Sequence, residues 1–155
     1  MSRSVTSSPL VRNGVVAGIA GGLAIAAVGM VLSAVRGTGF WSLPNAIGGI
    51  ALGPRAGATT DLGLITLVGV LLHMGLSAGY GVFTVGVSRK VTREYVATAI
   101  VFGLGLWIVN YYLIAAMMPG AAAMAALNPI WMAAGLHVLF GAVTGTVGRA
   151  LDRSA

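Results

Sequence analysis

Four long stretches without a single charged residue constrain this chain more than anything else in it. They run from Val15 to Val35, Leu62 to about Val87, Tyr95 to Met118 and Pro129 to about Val147. About 20 apolar residues wound as a helix cross the ~30 Å hydrocarbon core of a bilayer. A helix also satisfies every backbone polar group within itself, as lipid demands. Only 8% of the 155 residues are charged, against about 25% in soluble domains. The expected fold is therefore all-α and integral to a membrane. It is one domain over residues 1–155, with spans at about 14–35, 62–87, 95–118 and 129–148. The first run is too long for the apolar part of a secretory signal and lacks a clear small-x-small cleavage site, so it reads as a span.

The segments between the runs have signatures of their own. Trp41-Ser42-Leu43-Pro44 opens a short apolar stretch, with Ser42 placed as a cap, Pro44 in the first turn and Gly53-Pro54 as a stop. This helix, about 42–53, is too short to cross and reads as interfacial or re-entrant, with Trp41 in the aromatic belt. Asp61 reads as the cap of the second span. Pro119-Gly120 ends the third, Ala121 to Leu127 is a small apolar connector, and Asn128-Pro129 opens the fourth. Each half thus reads span, outer apolar connector, span, giving two similar helical hairpins.

Basic residues orient the chain. Arg3, Arg12, Arg89, Lys90, Arg93, Arg149 and Arg153 fall on one side of a four-span arrangement, and only Arg36 and Arg55 on the other. The positive-inside bias places both termini in the cytoplasm. With three acids against nine bases, the positive balance reads as membrane-flank charge, and no polar face exists for nucleic acid. The absence of cysteine excludes disulfides and thiolate chemistry.

Glycine numbers 24, and some of it is patterned. Gly14, Gly18 and Gly22, continued by Ala26, form a small-xxx-small stripe of the kind that lets helices approach closely in lipid. Gly69, Gly141 and Gly145 are further packing candidates. The second and fourth spans also echo one another. Leu72-His73 and Leu136-His137 are each followed by three residues, a small residue (Ser77, Gly141), Ala, two residues and Gly (Gly81, Gly145). These contain the only histidines.

Ionisable groups inside a membrane are rare and face the bundle interior. Counted from Asp61 and Asn128, His73 and His137 lie roughly 18 and 13 Å below the outer helix ends. Asn110 on the third span reaches a comparable level. The simplest role for the imidazoles is interhelical hydrogen bonding to Asn110, Tyr111, Thr66 or Ser77. A sharper role is axial ligation of a b-type haem by His73 and His137, with Arg36 and Arg55 pairing its propionates. A third is a Cu(I) site drawing on Met74, Met117, Met118, Met124 and Met132. Catalysis finds no support. The acids Asp61, Glu94 and Asp152 sit at helix ends, and no Ser/His, Asp/Asp or His-Glu-x-x-His arrangement is present.

Trp41-Ser42-Leu43-Pro44 with Ile47-Gly48-Gly49, His73 with Ser77-Ala78, and His137-Val138-Leu139-Phe140-Gly141 with Gly145 together resemble small four-span bacterial membrane proteins that have no assigned activity. The resemblance implies the bacterial inner membrane and a place beside respiratory, photosynthetic or other membrane complexes. The expectation is a non-enzymatic accessory subunit or a glycine-packed oligomer. Its partners would be the bilayer and other membrane subunits or further copies of itself. A haem-binding electron carrier is the first alternative, and a small oligomeric transporter or channel the second.

Overall fold

The computed structural model describes residues 9–154, so Arg3 of the basic flank lies outside the described residues. Helix α1 (Pro9–Val35) comes first among the described residues. Next come α2 (Ser42–Leu52) and the single turn α3 (Pro54–Gly57). Helix α4 (Leu64–Val87) continues into a wide π turn, Ser88–Thr92. Helix α5 (Tyr95–Ile108) passes through a second π turn, Val109–Ile114, into α6 (Ala115–Met117). Helices α7 (Pro119–Ala126) and α8 (Ile130–Arg153) complete the chain. Four helical stretches among the described residues are long and apolar enough to cross a membrane: Pro9–Val35, Leu64–Thr92, Tyr95–Met117 and Ile130–Arg153.

The expected helix starts need correction. Asp61 does not cap α4. The helix starts at Leu64 after Gly63, and Thr66 supplies the oxygen that accepts from the Gly63 N–H at 3.0 Å. Asn128 does not cap α8, because Pro129 holds that place while the Asn128 amide oxygen accepts from Arg36 at 2.8 Å. Ser42 is the first residue of α2, and its hydroxyl donates to the Gly39 carbonyl at 2.6 Å. For Asn128 and Ser42 the side-chain oxygen has a partner other than the helix's own N–H groups. The charged Ser88–Glu94 segment is also mostly helix. It breaks at Arg93, whose φ of 62° is left-handed.

Helix α1 packs along both α4 and α8, and α5 packs along α8, while α4 and α5 meet only sparsely. Glycine sets these distances. A Cβ on Gly14 would strike Val82, one on Gly18 the Ser77 carbonyl, and one on Gly22 the Ser77 hydroxyl, so this stripe fits α1 against α4. A Cβ on Gly141 would strike Ala99, and one on Gly145 would strike Val96, which fits α8 against α5. The echo therefore has a packing meaning. Four and eight residues after each histidine, the chain touches the first long helix of its own half. Gly69 lets α4 approach Pro44 of α2, and Gly120 lets α7 approach Gly49.

Large apolar side chains line the outside: Leu23 is 56% exposed, Leu71 64%, Val101 71% and Trp131 73%. Small and polar ones fill the inside, with Asn13, Ser33, Asn45, Ser88 and Thr144 at 0%. A protein dissolved in water shows the reverse.

Candidate functional site

Two polar constellations stand out, one at each end of the four long helices. At the end holding residue 154, the Asp152 carboxylate collects partners from every long element. It accepts from Asn13 of α1 at 2.8 Å, from Arg89 Nε at 2.9 Å and from the Tyr95 hydroxyl at 2.6 Å. Arg89 makes a second bond through Nη2, so the pair is a bidentate ion pair. Arg12 Nε in turn donates to Asn13 Oδ1 at 3.1 Å. This knot ties the start of α1, the end of α4, the start of α5 and the end of α8. Sequence reasoning placed Asp152 merely at a terminus. Its partners are up to 139 residues away, and no local pattern signals such a tie.

The other end holds an apolar cavity of about 170 Å³ bounded by α1, α4, α5 and α8 and roofed by α2 and α7. Both histidines line it, together with Asn110 and Tyr111. The helix starts at Leu64 and Ile130 put His73 nine residues into α4 and His137 seven into α8. At 1.5 Å per residue these are depths of about 14 and 11 Å. The imidazoles sit at nearly one level.

The hydrogen bonds of each ring fix its tautomer. His73 Nε2 lies 3.0 Å from the Gly22 carbonyl of α1. His137 Nδ1 lies 2.8 Å from the Ala133 carbonyl one turn back. A carbonyl only accepts, so each of these nitrogens carries the proton. The other nitrogen of each neutral ring, Nδ1 of His73 and Nε2 of His137, is left a bare acceptor. None of the described residues pairs with either one. The predicted partners Asn110, Tyr111, Thr66 and Ser77 do not bond the histidines. Tyr111 instead sets its ring edge-to-face on His137 at 6.2 Å. Thr66 is taken by Asn45 at 2.5 Å, and Ser77 is buried against Gly18 and Gly22.

The π turn Val109–Ile114 explains how two consecutive polar residues reach one cavity. A regular helix sends neighbours about 100° apart, whereas a π turn holds an extra residue per turn and is frequent at functional sites. Leu106, Asn110, Tyr111 and Ile114 all line the cavity. Among the described residues neither the Asn110 side-chain amide nor the Tyr111 hydroxyl has a hydrogen-bond partner.

The roof is fastened by Asn45 of α2. Its amide donates to the Thr59 carbonyl at 2.8 Å and the Asp61 carbonyl at 3.0 Å, and its oxygen accepts from Thr66 of α4. Arg36 joins α1 to Asn128 at the cavity rim. Arg55 lies exposed on α3, away from the cavity lining.

These residues do not fit a haem. A cavity of about 150 Å³ holds one benzene-sized ring, and 170 Å³ leaves no room for a porphyrin with its four bridged pyrroles. His73 Nε2 is engaged with Gly22, and Arg36 and Arg55 do not converge. The copper reading also loses its ligands. Met117 and Met118 are exposed, Met132 lies against Arg36, and of the five methionines considered only Met74 and Met124 line the cavity. Among the described residues no three His, Cys, Asp or Glu side chains gather as a metal site would need. Compared with known proteins, the chain matches no family model, no curated protein and no solved structure.

Proposed function

We propose that this chain is a multi-pass, non-enzymatic protein of the bacterial inner membrane. Two helical hairpins, α1–α4 and α5–α8, cross the bilayer four times with both ends cytoplasmic and hold a small lipophilic molecule between them. The observation that carries the reading is the cavity itself. It is apolar, set between four long helices, and furnished with a few polar groups on one level. Membrane and ligand sites alike are built as mostly apolar clefts with a small number of placed polar groups.

Exposed large apolar side chains along α1, α4 and α5 and at the start of α8 support the membrane setting, because soluble monomers rarely expose more than a few hundred Å² of contiguous apolar surface. The glycine-packed oligomer drew on the Gly14–Gly18–Gly22 stripe, and that stripe packs inside the chain, against α4. A transporter would need a charged relay or a through-path, and no acid faces the cavity.

The experiment is photolabelling in lipid nanodiscs with a small aryl diazirine. Cross-links concentrated on Tyr111, Met74 and Met124, and lost in a cavity-filling Ala133→Trp variant, would support the reading. Cross-links spread over Leu71, Val101 and Leu113 alone would refute it.

A further inference from the structure

We infer that the cavity selects a lipid whose head is a single aromatic ring bearing two hydroxyl groups, the quinol class, with a hydrocarbon tail leaving between α4 and α5. The inference rests on the cavity being a ligand site, and deepens that reading.

Size comes first. At about 170 Å³ the space matches one six-membered ring with small substituents. Hydrogen-bond sense comes second. The Gly22 and Ala133 carbonyls hold the protons of His73 and His137 on the engaged nitrogens, leaving a lone pair on each ring. Two bare acceptors, one on α4 and one on α8, call for a ligand with two donors. A hydroxyl at each end of a ring supplies them, whereas a quinone offers only acceptors. Asn110 and the Tyr111 hydroxyl, on the third wall, can accept or donate and would complete the shell. An apolar guest alone would leave these groups unpaired in a water-poor site, which is costly.

The tail needs a way into lipid. Helix α1 closes against α4 and α8, and α5 closes against α8, each with glycines at van der Waals limit. The α4–α5 seam is the loose one. Tyr80 and Phe83 of α4 meet Phe102 of α5 at 6.0 and 4.8 Å, so rings floor the seam while its stretch beside Leu76 and Leu106 borders the cavity. A strict repeat would make the α4–α5 seam as close as α1–α8, its counterpart, and the departure from that symmetry opens this side.

The test uses the same diazirine label in nanodiscs under anaerobic conditions, with three competitors: a decyl-substituted hydroquinone, its quinone and its dimethyl ether. The expected result is that the hydroquinone displaces the label from Tyr111 at roughly tenfold lower concentration than the ether, the worth of two neutral hydrogen bonds. His137→Phe, which keeps a ring but no acceptor, should cut that preference to about threefold while the label still enters. Equal displacement by all three compounds, or a preference for the quinone, overturns the quinol assignment and leaves the lipophilic site standing. Absence of cavity labelling at the outset overturns both.

Discussion

Glycines at positions 18 and 75 both lie inside long apolar helices and are opposites in their surroundings. A Cβ on Gly18 would collide with the Ser77 carbonyl, whereas nothing lies within 4 Å of one on Gly75. Gly18→Ala should therefore destabilise the detergent-solubilised protein by about 1–3 kcal/mol through overpacking. Gly75→Ala should stabilise it by up to about 1 kcal/mol through helix propensity. Thermal unfolding of the two variants side by side checks both signs. Asp152→Asn removes the charge that Arg89 pairs with and should cost about 2 kcal/mol, with Tyr95→Phe costing about 1 kcal/mol. The histidines give a sharper residue-level test. Nitrogen NMR of labelled histidine at neutral pH should find His73 protonated at Nε2 and His137 at Nδ1. Two rings with the same tautomer would contradict the site geometry.

At the scale of elements, the apolar runs were legible because length and hydropathy suffice to mark them, and the structure has four long apolar helices where they stand. The short helix before the second run was legible for the same reason, from Trp41 through Gly53. Caps were not. Asp61 and Asn128 have the right chemistry, but a carboxamide or carboxylate serves whichever donor reaches it, and Arg36 reached Asn128 from 92 residues away. The π turn at Val109–Ile114 was invisible too, since no residue type demands one. Asn45 was unread as well. It is fully buried and holds α2 to α4 and to the 59–61 segment. Asn45→Leu keeps the volume and abandons two carbonyls and the Thr66 hydroxyl, so the roof should loosen. Proteolysis or hydrogen exchange would report this as faster opening of Ser42–Leu52 with the long helices unaffected. Arg93 offers a gain instead. Its left-handed φ of 62° suits glycine, and Arg93→Gly should raise stability by about 1 kcal/mol.

The whole molecule reads as an inside-out protein, with small and polar residues where the helices touch and large apolar ones facing outward. Its two ends are pinned differently. The Asp152 knot gathers all four long helices at one end, and the Asn45 and Arg36 contacts fasten α2 and the α1–α8 rim at the other. Between them the bundle is closed along three seams and loose along the fourth, between α4 and α5. The central claim beneath all of this is that hydrocarbon surrounds the bundle and that both ends of the chain face one side. Because the protein has no cysteine, single cysteines test it cleanly. Ala58→Cys, Val101→Cys and Ser154→Cys would be treated with a membrane-impermeant maleimide in sealed vesicles of known orientation. The account predicts that Ala58→Cys and Ser154→Cys label from opposite sides. Val101→Cys, although 71% exposed, should label from neither side until detergent is added. Labelling of Val101→Cys in intact vesicles, or of Ala58→Cys and Ser154→Cys from the same side, would contradict it.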